Sequence, residues 1–154
     1  MRLFSILTAM IILGCSPIPQ GSGPSPNQIL VVSASSYPAQ KILESIGTAE
    51  LGLDEGFDKS NDVIGDSEHP RYPQYEIAYW YPFKGSEFYG VAIVKWVGDS
   101  ELSRKYYIDV YSEDEKCSLC EGVIGALQAA RIVHYSACKE KPRKSEYEAA
   151  RCET

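Results

Sequence analysis

The first 14 residues limit what the rest of the chain can become. Arg2 carries the one charge of this stretch, and an apolar run of 11 residues extends from Leu3 to Leu13. A helix needs roughly 20 apolar residues to cross a bilayer, so this run is too short to span one. It is typical of the apolar part of a secretory signal peptide. We therefore expect residues 1–14 to be removed and the folded domain to lie outside the cytoplasm.

The apolar run closes on Ile12, Leu13, Gly14 and Cys15. This resembles the lipobox of bacterial lipoproteins, in which small residues precede an obligatory cysteine. The resemblance covers only about the first 15 residues, and it implies cleavage before Cys15 with lipid on its sulfur and on the new amino group. Ser16 stands where an aspartate often signals retention in the inner membrane. The resemblance therefore implies the periplasmic face of the outer membrane.

Proline, glycine and serine dominate residues 16–27, which offer almost nothing that could be buried. Fully extended, such a segment reaches about 40 Å. We expect residues 15–27 to form the lipidated cysteine and a flexible tether. Residues 28–154 then form a single globular domain close to the membrane.

The charge of the chain restricts its partners. It carries 15 basic against 21 acidic residues, a net charge of −6, and its basic residues form no continuous stripe. This balance argues against nucleic acid and against anionic lipid as partners. We expect attachment to the membrane through the lipid on Cys15 and a protein partner in the cell envelope.

The first part of the domain predicts a strand and a helix. Residues 28–34 form a compact apolar run rich in β-branched side chains, which favours a strand. Ser36 is the expected N-cap of the helix after this strand, with Pro38 in its first turn. Its apolar face has helical spacing and consists of Ala39, Ile42, Leu43 and Ile46. Residues 48–74 fit no regular pattern and should contain either a short element or a functional loop.

Three strands are predicted next, over residues 75–81, 88–97 and 105–112. Their short connections predict an antiparallel meander. The third strand alternates most clearly. One side carries Tyr106, Ile108 and Val110, and the other carries Lys105, Tyr107, Asp109 and Tyr111.

A second helix of about 20 residues should come after the acidic residues 113–115, because acids suit the positive end of a helix. It should end no later than Pro142. Its apolar stripe is Leu119, Val123, Leu127 and Ala130, and a strip of small residues beside it predicts a close approach to the sheet. The order β-α-β-β-β-α predicts an α+β fold, with an antiparallel sheet and helices on one face.

Four cysteines besides Cys15 are Cys117, Cys120, Cys138 and Cys152. An even number in an exported domain predicts two disulfides that staple the C-terminal part, with three possible pairings. The segment Cys117–Cys120 also resembles the start of the active helix of thioredoxins. That fold needs a further hairpin with a cis-proline, for which the remaining sequence is too short. A zinc site made of all four cysteines would need Cys138 and Cys152 closer together.

Two further groups of residues are of types that can form sites. Asp54, Asp58, Asp62 and Asp66 recur every four residues, but they fit no EF-hand spacing. His69 and His134, the two histidines, lie in no catalytic motif. The sequence assigns no catalytic residue, metal or cofactor.

Tyrosines concentrate on the predicted sheet, and tyrosine is common at binding hot spots. Candidates for partner binding are Tyr79, Tyr81, Tyr107 and Tyr111, with the last two on an exposed polar side of the third strand. The first hypothesis is a non-enzymatic interaction module, such as an accessory or pilot lipoprotein of a secretion or conjugation system, or an immunity protein against a periplasmic toxin. The alternatives are a thiol-disulfide oxidoreductase using Cys117 and Cys120, and a calcium- or small-ligand-binding lipoprotein.

Overall fold

The computed structural model describes residues 26–60, 75–97 and 101–138. These form a six-stranded antiparallel sheet with two helices, which confirms the predicted α+β fold. The strands are β1 (Gln28–Ser33), β2 (Phe57–Asp58), β3 (Tyr75–Pro82), β4 (Gly90–Trp96), β5 (Lys105–Tyr111) and β6 (Tyr135–Cys138). The helices are α1 (Ala39–Gly47) and α2 (Ser118–Ala129), and a 3₁₀ turn covers Glu101–Arg104.

The strands lie in the order β2-β3-β4-β5-β1-β6. The predicted meander of β3, β4 and β5 is confirmed, since each pairs antiparallel with the next. Strand β1 pairs on one side with β5 and on the other with β6, so the first strand of the chain lies inside the sheet. The sequence did not reveal β2 and β6, because two and four residues are too few for a visible alternation.

The expected N-cap of α1 at Ser36 was wrong, because the helix begins at Ala39, three residues further along the chain. The N-cap position is Pro38, and no side chain caps it. Ser36 instead donates its backbone N–H to the Ser33 carbonyl at 3.2 Å, in the turn after β1. The helix ends at Gly47, and the Thr48 hydroxyl donates to the Glu44 carbonyl at 2.6 Å.

Helix α2 has 12 residues rather than about 20. Arg131 adopts a left-handed φ of 59°, and Ile132 donates its N–H to the Leu127 carbonyl at 2.8 Å, so the helix stops there. Most of the predicted apolar stripe is buried, namely Leu119, Val123 and Leu127. The strip of small residues was predicted at Gly122, Gly125, Ala126 and Ala129. Gly125 and Ala129 are exposed, so the close approach to the sheet was wrong for these two, whereas Gly122 and Ala126 are half-buried.

Each face of the sheet has its own apolar cluster. Both helices pack on one face, over side chains of β1, β3, β4 and β5. This helix-side core includes Leu30, Val32, Ile42, Ile46, Tyr81, Val91, Ile93, Ile108, Val110, Val123 and Leu127. On the opposite face, a second-face cluster consists of Ile29, Tyr107 and Cys138, with Val31 and Trp96 packed against them.

Two glycines should respond in opposite ways to alanine. Gly90 begins β4 with a φ of +153°, and a Cβ there would stand 2.2 Å from the Tyr81 carbonyl oxygen. Gly125 lies in α2 with open space around it. We expect Gly90→Ala to lower the free energy of unfolding by about 1–3 kcal/mol. Gly125→Ala should raise it by about 0.5–1 kcal/mol.

Urea denaturation of the two variants and the wild type checks this pair. A Gly90→Ala variant as stable as the wild type would mean that β4 does not start where the structure places it.

Candidate binding cleft at the start of helix α2

Helix α2 starts at a tight turn, and the only sequence signal for this turn is the acidic residues 113–115. Its N-cap, Cys117, has a left-handed backbone with φ 53° and makes no side-chain cap. Asp114 supplies the cap instead: its carboxylate accepts the Ser118 N–H at 3.0 Å and the Ser118 hydroxyl at 2.8 Å. The Ser112 hydroxyl donates to the same carboxylate at 2.8 Å. Asp114, one of the acidic residues predicted to favour the helix start, therefore caps the helix.

These contacts set the protonation of Asp114. Hydrogen bonds from the Ser118 and Ser112 side chains, and then from the Ser118 backbone, lower the pKa of Asp114 below its ordinary value of 3.8. The folded protein therefore prefers the charged carboxylate, which also suits the positive end of the helix.

Cys117 and Cys120 form a disulfide across the first turn of α2, with their Cα atoms 5.1 Å apart. Both residues belong to the helix-side core and are only 8% and 6% exposed. A catalytic disulfide must be reached by the attacking thiolate of its partner. This burial supports a structural role for the pair and gives no support to the oxidoreductase alternative. Cys138 is also disulfide-bonded, whereas Cys15 and Cys152 lie outside the described residues.

A cleft of about 620 Å³ opens beside this turn. It lies between the start of α2, the chain just after α1, and the connection between β3 and β4. Its lining residues are Glu50, Leu51, Phe83, Tyr89, Tyr111, Ser112, Glu113, Asp114, Ser118, Leu119 and Gly122. The cleft thus combines an aromatic and aliphatic wall with several carboxylates.

The wall from residues 50–54 is fastened to the β3–β4 connection. Leu53 forms an isolated antiparallel bridge with Phe83, and Asp54 donates its N–H to the Pro82 carbonyl at 2.7 Å. On the helix side, Gly122 leaves room for the wall, since a Cβ there would stand 2.7 Å from Leu51. Residues 50–54, which fit no regular sequence pattern, are therefore held in a fixed position against β3 and α2.

The tyrosine candidates separate into three environments. On the helix side, the Tyr79 hydroxyl donates to the Gly56 carbonyl and the Tyr81 hydroxyl to the Leu43 carbonyl, both at 3.0 Å. Tyr81 is 7% exposed, and burial raises its pKa, with Tyr79 adding to the effect. These two rings hold neighbouring segments of the fold in place.

The expected exposure of the polar side of β5 was wrong for Tyr107, which is only 2% exposed. Its ring packs edge-on against Trp96, with centroids 4.6 Å apart, in the second-face cluster. Even Asp109 on this side is 6% exposed, so polar residues there did not indicate solvent. Tyr111 is half-buried and lines the cleft. Its ring lies edge-on to the Trp80 ring, with the two ring centroids 5.9 Å apart.

Only Asp54 and Asp58 of the acidic repeat lie within the described residues. Asp58 accepts hydrogen bonds from the Ser60 hydroxyl at 2.5 Å and from the Ser60 N–H at 2.7 Å, which lower its pKa. Its carboxylate thus closes a local turn. Asp62 and Asp66 lie outside the described residues, as does His69, while His134 is exposed. Within residues 26–60, 75–97 and 101–138, no three acidic, cysteine or histidine side chains are placed to hold a metal.

Comparison with known proteins gives no family for this chain. No protein-family model, curated protein or solved structure matches it. In the described part of the chain, no helix is long and apolar enough to cross a membrane.

The hydrogen bonds of Asp114 predict a pH-dependent contribution to stability. Its pKa is lower in the folded than in the unfolded chain, so its contribution is complete at neutral pH and is lost as the pH falls through the folded pKa, below 3.8. We expect Asp114→Asn to be less stable than the wild type at neutral pH. The difference should shrink in acid. Urea denaturation at a series of pH values measures it.

Glu115→Gln, which removes a charge from the same turn, is the control for net charge. An equal loss of stability in Glu115→Gln would show that the effect comes from net charge and not from the hydrogen bonds of Asp114.

The buried disulfide should resist reduction until the domain unfolds. A phosphine reductant with a maleimide label should modify Cys117 and Cys120 only as urea unfolds the chain, because both are nearly excluded from solvent. Peptide mapping of the labelled sites provides the measurement. Rapid labelling of both cysteines in the folded protein would restore the oxidoreductase alternative.

Proposed function

We propose that the chain is a lipoprotein of the bacterial cell envelope whose folded domain is a non-enzymatic interaction module. Lipid on Cys15 holds it on the periplasmic face of the outer membrane, and the domain binds a partner protein there. An accessory or pilot lipoprotein of a secretion or conjugation system, or an immunity protein against a periplasmic toxin, would work in this way.

The anchoring part rests on the lipobox-like residues 12–15 and on the composition of the segment after Cys15. Proline-, glycine- and serine-rich sequence continues until the described structure begins at Pro26. Two or more acyl chains are needed for stable attachment, and a fully acylated Cys15 would carry them.

The binding part rests on one observation, the cleft beside α2. It is concave, and its wall combines aromatic and aliphatic side chains with the carboxylates of Glu50, Glu113 and Asp114. This combination is typical of binding sites. The disulfide nearby is buried, and it serves to fix the first turn of the helix that forms one side of the cleft.

The point where the chain enters the domain supports a link between the lipid anchor and the binding cleft. Asn27 donates its N–H to the Val110 carbonyl at 2.8 Å, and its side-chain oxygen accepts the Ser112 N–H at 2.7 Å. Ser112 lines the cleft, so the tether would enter the domain next to the cleft. A partner bound there would be held close to the membrane.

Lipidation predicts a simple labelling result. Cells fed an alkyne fatty acid should label the wild type and Ser16→Ala, but not Cys15→Ala, because only the cysteine sulfur and its new amino group accept acyl chains. In-gel fluorescence after click coupling measures this. Ser16→Asp should keep the label while moving the protein from outer- to inner-membrane fractions. Label on Cys15→Ala equal to that on the wild type would overturn the anchoring proposal.

A further inference from the structure

The wall of the cleft is suited to the stem of a long side chain. Three rings, those of Phe83, Tyr89 and Tyr111, line it together with Leu51 and Leu119. A volume of about 620 Å³ accommodates one large side chain and the backbone that carries it. The cleft therefore fits one residue that projects from a partner.

The charges of the cleft favour a cation. Glu50 and Glu113 are both exposed, and within the described residues neither forms an ion pair. Asp114 adds a third negative charge, although Ser112 and Ser118 already occupy its oxygens. None of the described lining residues is a lysine, arginine or histidine. The lining residues of the cleft therefore do not balance its negative charge.

The ring of Phe83 already has a cation beside it. The Lys84 ammonium lies 4.9 Å from the ring centroid, within the range of a cation–π interaction. This contact comes from the same chain, and Lys84 does not line the cleft. It shows that the Phe83 ring takes part in a cation–π contact.

We propose that the cleft binds a lysine or arginine side chain of the partner protein. The methylene stem packs on the aromatic wall, and the ammonium or guanidinium group meets Glu50 and Glu113. This inference rests on the proposed function, because it names the chemistry of the partner that the module recognises. The acidic charge of the whole chain agrees with a basic partner.

Small model compounds test the recognition without a known partner. N-acetyl-lysine methylamide and N-acetyl-arginine methylamide are titrated into the ¹⁵N-labelled full chain in detergent micelles. The uncharged N-acetyl-norleucine methylamide is the matched probe. We expect saturable amide shifts at Tyr89, Ser118 and Gly122 with the two cationic probes, in the millimolar range expected for so few contacts. The norleucine probe should give much smaller shifts.

Charge and shape are then varied separately. Glu50→Gln and Glu113→Gln keep the shape of the cleft and should each weaken binding by about threefold to fivefold, as expected for an exposed ion pair. Gly122→Leu fills the floor near Leu51 without changing charge and should also weaken binding. Glu121→Gln removes an exposed acid of α2 that does not line the cleft, and it should bind as the wild type does.

Two results would overturn the inference. One is the absence of saturable shifts in the cleft, and the other is an equal loss of affinity in Glu121→Gln, which would mean attraction to the acidic surface as a whole. The proposed function fails differently. If the probes bind in the cleft but the anchored protein has no partner in the envelope, the cleft chemistry stands and the interaction module does not.

Discussion

The pairing of β1 with β5 is the constraint on which the rest of the structure depends. Both strands are covered on both sides: Ile29, Leu30, Tyr107 and Ile108 are each at most 2% exposed. Burial of this kind supplies most of the driving force for folding. The same pairing joins the start of the domain to the end of β5, where the chain turns toward α2. The core of the sheet therefore also determines where the cleft forms.

Sequence alone predicted the parts of the fold that local pattern determines. The alternation of Tyr106 and Ile108 against Tyr107 and Asp109 correctly separated the two sides of β5. Which sides were covered could not be read from β5 itself, because Trp96 and Ile29, which pack with Tyr107, come from other strands. Where a strand is buried on both sides, polar neighbours in the sequence do not indicate which side chains are exposed to solvent.

The cleft was missed for a similar physical reason. Leu51 and Phe83 lie between regular elements, and the bridge between Leu53 and Phe83 holds that wall in place. Such contacts leave no periodic signal. The acids at the start of α2 were noticed, but the roles of Asp114 as a cap and Glu113 as a lining residue depend on the turn at Cys117. The sequence feature that suggested chemistry, the cysteine pair, forms a buried disulfide in the first turn of the helix beside the cleft.

We propose that the tethered domain binds its partner at this cleft. A photo-crosslinking amino acid at Tyr89 of the anchored protein, irradiated in intact cells, tests it most directly. Position 88, where Phe88 is 57% exposed and does not line the cleft, is the control. We expect one discrete adduct from position 89, with a yield that falls about tenfold when Glu50 and Glu113 are both changed to glutamine. Adducts of equal yield from both positions, unaffected by those changes, would contradict it.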